Sequence, residues 1–377
     1  MTEPQWLQEK RKEATKLIGL LPEEKVRYVS VPVEKPDERI KTDHENFAAT
    51  IVQSGSSIQA HLTDKMKKAG IVVKEIKQAI TENDMEQYFD RPESRQAAGN
   101  LAHFNSGVFI MIPENAHIEE PIYHIISAEG TVVCRNIIIA GKNSKAKIVQ
   151  ELVGDAKCYN EITAIHAKQD SNLEFAAIQS LGQTQAYIRR HATCEPHSFL
   201  DFRNAFFGSE NTYARNELDL VGEGAEASTL DIYFGTGQQK FDSLSLVNHK
   251  ARNTRSRSDV RGVMKNEAKL APHGNVRIEK QAGGSDVFLT EHILLIDSGA
   301  EADPVPALEI ETNDVKAGHS ASVSQIDEEK IFYLMARGIG EDEARKMIVL
   351  GFLEPALAMA ETLRTHVLAN LEEKWGR

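Results

Sequence analysis

The stretch ARNELDLVG (Ala214–Gly222), followed at once by ASTLDIYFG (Ala227–Gly235) and DSLSLVNHK (Asp242–Lys250), decides how this chain is read. Apolar and polar residues alternate, Leu218 and Leu220 against Glu217 and Asp219, which is the period of a strand. Turn residues such as Gly222-Glu-Gly224 separate the runs. Working outward, the same texture begins near Leu101 with SGVFIMI, TVVCRNIIIA and AKIVQELVG, and continues through GNVRIEKQ, DVFLTEHILLI and ALEIET. Roughly two hundred residues pass without a helical pattern. A sandwich, several barrels or a β-helix can each be built from such runs. No clean fixed-period repeat is visible, so periodicity leaves the three open.

Helical patterns flank this region. Trp6, Leu7, Ala14, Leu17 and Ile18 recur at helical spacing after Pro4, until Gly19 and Pro22 stop them. A proline-punctuated extended segment, Ser30–Ile40, precedes two further helical pieces around Ile58–Ala69 and Lys74–Phe89, joined at Gly70. Near the other end, Asp327-Glu-Glu reads as an N-cap with an acidic first turn for a helix through Ala336. Gly338 breaks it, and Asp342–Leu350 makes a second helix. A third is expected to open at Pro355, with Leu357, Ala360, Leu363, Val367, Leu368, Leu371 and Trp375 on one stripe. The expected parts are a helical region over residues 1–100, a β core over 101–315 and a helical region over 316–377.

The 377 residues are 41% hydrophobic and 27% charged, the balance of a globular protein. No run of about 18 apolar residues spans a bilayer, and the polar start MTEPQWLQEKRKEA carries no secretory signal, so a cytoplasmic location is expected and no membrane partner. A net charge of −12 argues against nucleic acid. The one basic stripe, Arg255, Arg257 and Arg261, shares a parity and reads as a solvated strand face. Three scattered cysteines, Cys134, Cys158 and Cys194, form no disulfide framework and read as core fillers.

Phosphate-loop, dinucleotide-binding, HExxH, GxSxG and CxxC signatures are absent. The cluster HATCEPH holds His191, Cys194 and His197, but on a strand Cys194 points away from both histidines, and Pro196 forbids a regular helix. His319 follows Gly318 where the β region is expected to hand over to helices; alone, it reads as a capping or buried histidine.

The order of motifs is more particular than any of them singly. GIVVKEIKQA (Gly70–Ala79) precedes SGVFIMIPEN (Ser106–Asn115) and Glu120-Pro-Ile122; then come Val247-Asn-His249 with Arg252, Thr254 and Ser256. LEIETNDVKAGH (Leu308–His319), IFYLMARG (Ile331–Gly338) and MIVLGF (Met347–Phe352) close the series. Over about Gly70–Leu357 the chain resembles the SufB/SufD family of iron–sulfur cluster assembly proteins. The resemblance implies a mainly β fold: a right-handed parallel β-helix core flanked by N- and C-terminal helical regions. It also implies a non-catalytic scaffold bound to a SufC-type ABC ATPase, docked on the C-terminal helices, which points to Phe332, Tyr333, Arg337, Gly338 and Phe352 as partner-binding residues.

Within the family the chain looks like the SufD type. It has no cysteine after Cys194, and Ala317 stands where many SufD-type chains carry a thiol two residues before the matching histidine. The resemblance makes His319 a cluster ligand at the interface with a SufB-type subunit, with no stably bound cofactor and only a transient cluster at that interface. Two other readings are a homodimeric family member acting with the ATPase alone and, more remotely, a β-helix carbohydrate-active enzyme using Asp219 and Asp231.

Overall fold

The computed structural model describes residues 3–24, 26–37, 51–358 and 361–375; Glu38–Ile40, the end of the extended segment, lies outside them, as does Ala360 of the C-terminal stripe. The strands pair in parallel and stack into a β-solenoid of about eight coils, which excludes a sandwich or a set of barrels.

Each coil contributes two long strands, and each strand pairs with its counterpart one coil above and one below. In one ladder Asn172, Phe199, Glu226, Arg255, Asp286 and Lys316 stand one over the next. In the other the column is Cys158, Gln185, Asn211, Lys240, Lys269 and Glu301. Successive counterparts are unevenly spaced in sequence, which is why no fixed period shows.

The hidden repeat is at the corner. Asn115, Asn143, Asp170, His197, Gly224, Asn253 and Gly284 all take positive φ, and each is followed by a small buried residue such as Ser144, Ser171, Ser198 or Ala225. Each corner N–H donates to a carbonyl of the next coil: Asn143 to Gln169, Asp170 to Pro196, His197 to Glu223. Asn and Asp tolerate the left-handed region better than other side chains, and glycine enters it freely.

The interior is filled by one parity of the strands, with aromatic rings stacked along the solenoid axis. Phe175 lies over Phe202 at 5.5 Å between centroids, and Phe206 over Tyr233 at 4.8 Å. The outward parity is covered at both ends of the chain. Val29 and Val31 of the N-terminal segment pack with Ala97, Tyr187 and Tyr213. The C-terminal helices bury Leu353, Leu363, Val367, Leu371 and Trp375 against Ile178, Phe207, Ile232 and Phe234. Lys374 fastens this cover, its buried ammonium donating to the carbonyls of Phe207 and Phe234 and to Gln239.

Several expected boundaries move. The first helix, Gln5–Leu17, lies where its pattern placed it. Around 58–69 the chain instead forms a strand, Ser57–Ala60, and a short helix, Asp64–Lys68. In the 74–89 piece only Ile76–Glu82 is α-helical, because a strand, Val72–Glu75, pairs antiparallel with Val108–Ile112. The final strand runs Val315–Gln325, so an expected boundary at residue 316 falls inside it. Asp327 is the N-cap, accepting from the Glu329 and Lys330 amides at 3.0 and 3.3 Å. Pro355 lies within the helix Glu341–Leu357, and the next helix is Glu361–Trp375.

Candidate functional site

His319 sits in the middle of the last strand, not at its end. Among the described residues that strand pairs only with Ser285–Leu295, the strand one coil below, and it is largely exposed on both faces. Parallel pairing keeps neighbours on the same side of the sheet. Ala317 stands over Val287, His319 over Leu289, Ala321 over Glu291 and Val323 over Ile293. Those four lower residues are buried, whereas Phe288 between them is 43% exposed. His319 therefore belongs to the parity that faces the interior, at the open mouth of the solenoid. Its side chain is exposed and makes no hydrogen bond or ion pair with the described residues.

Beneath that mouth runs a polar interior column. Glu161 accepts from Tyr159 at 2.6 Å, Thr163 at 2.9 Å and Arg190 at 3.2 Å. Arg190 also donates to Asn204 and Gln150, both at 3.1 Å. Asp231 accepts from Asn204 at 2.7 Å and Asn216 at 3.2 Å; burial nevertheless pushes its carboxyl up to about 6. Glu291 is fully buried facing the Gly274 backbone amide, and burial outweighs that amide and pushes its carboxyl up to about 7. Sequence reasoning missed Glu291, since only the register places it next to His319's column.

The C-terminal helices divide the expected docking residues. Phe332 and Tyr333 are 72% and 54% exposed on the helix Glu328–Met335, and Arg337 lies 4.1 Å over the Tyr333 ring. Gly338 takes φ 88°, ending that helix. Phe352 is half-buried on this chain's own sheet, beneath Arg261 at 5.5 Å, so its ring is already occupied. Met335 and Met347, both exposed, extend the apolar patch and were not anticipated.

Other sequence candidates come apart. His191 bonds Asp219 on the outer face at 3.1 Å, Cys194 is buried inside, and His197 is an exposed corner residue. Among the described residues no group of three or more His, Cys, Asp or Glu is placed to hold a metal ion. Cys134, Cys158 and Cys194 are buried, and burial pushes the Cys158 and Cys194 thiols up to about 12, which keeps them protonated. Asp219 and Asp231 lie on opposite faces of the sheets and cannot act across one glycosidic bond. Arg255, Arg257 and Arg261 pair with Glu226, Asp286 and Asp259, which neutralises the basic stripe.

His166 supplies a pH-dependent element beside this face. Its buried Nε2 has no hydrogen-bond partner among the described residues, and its ring lies 4.8 Å from Tyr88. Burial, with help from Lys168 and His191, pushes the imidazole from 6.5 down to about 4. The unfolded chain therefore takes up a proton that the folded one refuses, and stability is lost as pH falls from about 6.5 towards 4. His166→Phe keeps the ring contact and removes that term. The variant is expected to gain about 2 kcal/mol on the parent between pH 7.5 and pH 5 in urea unfolding.

Among the described residues the last strand pairs on one edge alone, and the helix that follows it exposes Phe332 and Tyr333. Residues 124–352 match the SUF system FeS cluster assembly SufBD core domain. An iron–sulfur cluster assembly SufBD family protein of Staphylococcus epidermidis is 27% identical over 94% of this chain and 85% of its own length. One from Staphylococcus aureus is 28% identical over 84% of this chain and 71% of its own. The chain belongs to the SufBD family of iron–sulfur cluster assembly proteins.

Proposed function

We propose that the chain is a SufD-type scaffold subunit of a cytoplasmic SUF complex, without catalytic activity of its own. A SufB-type subunit joins it along Val315–Gln325, and a SufC-type ATPase docks on the helix carrying Phe332 and Tyr333. The single observation carrying this reading is the last strand, which no other described strand covers, with His319 on its interior-facing side. A long exposed edge is a template for another chain, and proteins normally blunt or cover it. The nascent cluster is cargo. His319 offers it an imidazole, and the thiolates come from the partner, because this chain's cysteines are buried away from the mouth.

Co-purification with a SufB–SufC pair tests the assembly, and failure to associate at micromolar concentration refutes it. In the reconstituted complex, His319→Ala is expected to slow cluster formation at least tenfold with the subunits still associated. An unchanged rate removes the ligand role. A homodimer with the ATPase alone would bring two His319 residues together without a thiol; mass measurement of the isolated chain separates the two arrangements.

A further inference from the structure

Three arginines are buried among the described residues, and two of them have a carboxylate: Arg190 pairs with Glu161 and Arg203 with Asp201. Arg135, the third, is 6% exposed and makes no ion pair with the described residues. Its Nε donates to Asn100 Oδ1 at 3.2 Å, and its two terminal nitrogens make no hydrogen bond with the described residues. The Phe89 and Phe104 rings, with centroids 5.0 and 5.8 Å from the guanidinium carbon, hold it in place. Burial, with Arg189 and Arg11 as positive neighbours, lowers the guanidinium from 12.5 to about 9, against the opposing pull of Asp90. A buried cation without a counter-ion is costly and needs a reason.

The register gives it a setting. Arg135, Ile162 and Arg189 are partners on three successive coils, so the two arginines flank a buried isoleucine on the outward parity. With His191 they line a cavity of about 40 Å³ closed by the segment 88–92. One water needs about 10–15 Å³, so the cavity holds about three, or one small ion in their place. Arg189 is already paired with Glu217 at 2.9 Å, and His191 with Asp219 at 3.1 Å. Asp90 is exposed at the lip and forms no ion pair with either arginine. The fork of Arg135 is therefore the open donor of the cavity, and such a fork matches two oxygens of one oxyanion.

We propose that this cavity is a site for a small inorganic oxyanion, phosphate or sulfate, held by the fork of Arg135 with Arg189 beside it. The anion supplies the missing counter-charge. It also sits where separate parts meet: Arg135 belongs to the solenoid, Asn100 and Ala97 to the helix Arg95–His103, and the segment 88–92 to the chain just before that helix. Occupancy fastens the N-terminal helices to the outer face of the solenoid, because a ligand of the joined state stabilises it by mass action. The site lies several coils from Val315–Gln325 and depends on none of the proposed partners.

The test titrates the isolated full chain with sodium phosphate and, in a second arm, sodium sulfate, by calorimetry in Tris chloride at constant ionic strength. One site per chain is expected for at least one of the two, and the arm that binds identifies the anion. Arg135→Met is expected to weaken that binding at least about tenfold, the worth of a charge-assisted hydrogen bond. Arg255→Ala, on the exposed stripe, is expected to leave it unchanged. Asp90→Asn removes a competing carboxylate and is expected to tighten it. In thermal melts the parent gains melting temperature on adding the anion and Arg135→Met does not. Where Arg135→Met fails to fold, Arg135→Lys keeps the charge without the fork and is expected to bind more weakly than the parent. Saturation by neither anion leaves water in the cavity and overturns the site. So does equal affinity of the parent and a folded Arg135 variant, or an equal loss in Arg255→Ala, which marks general surface charge. A lower melting temperature of Asp90→Asn in buffer free of both anions makes Asp90 the counter-ion and overturns the site too.

Discussion

Replacing Arg190 by methionine is expected to lower the unfolding free energy by about 3–5 kcal/mol. The guanidinium is 1% exposed, lies 5.8 Å from the Phe175 ring centroid, and donates to Glu161, Asn204 and Gln150. Methionine fills similar space without a donor. Glu161 keeps the Tyr159 and Thr163 hydroxyls but loses the cation that balances its charge, and the side-chain carbonyls of Asn204 and Gln150 are left without this donor. Breaking one half of a buried pair costs more than removing both halves. Arg190→Met combined with Glu161→Gln is therefore expected to recover at least half the loss. Denaturant midpoints of the two single variants and the double complete the cycle, and equal losses in single and double variants would contradict the account.

The second large effect concerns the last coil. Ala317 and Val323 share the interior-facing parity of the final strand, and Val323 is 41% exposed. Introducing Ala317→Asp with Val323→Asp places two carboxylates where a joining chain is proposed to seat, and burying them unpaired is unfavourable. Association with a SufB-type subunit is expected to weaken by about 2–4 kcal/mol, roughly 30- to 1,000-fold. The isolated chain should melt within about 1 kcal/mol of the parent, because both positions face solvent. Biosensor affinity beside thermal melts reads both quantities. Undiminished affinity would place the partner elsewhere on the molecule.

Much of this architecture is legible in local sequence. The alternation of Leu218 and Leu220 with Glu217 and Asp219 marks the strand, and Asp327 marks the start of its helix, because pleat and cap chemistry act over a few residues. The corner signal was also present, as Asn143-Ser144, Asp170-Ser171, His197-Ser198 and Asn253-Thr254. It escapes a search for a fixed period because the connections between coils differ in length while the corner keeps its geometry. Pro355 misled in the other direction: its first-turn preference was overridden where packing of Leu353, Ala356 and Leu357 holds one continuous helix. The ordered motifs identified the family, but not which groups stand beside His319.

The sequence by itself determined that strands form, which parity each buries and where the chain turns, since these depend on side chains within a few residues of one another. Only the tertiary structure decided which strand lies on which. Register across coils carries Glu291 beneath Ala321 and beside the column of His319, and leaves the interior face of Val315–Gln325 with no described strand above it. Parallel pairing is a contact between residues a whole coil apart, set by how coils of unequal length stack, and no local pattern in the chain records it.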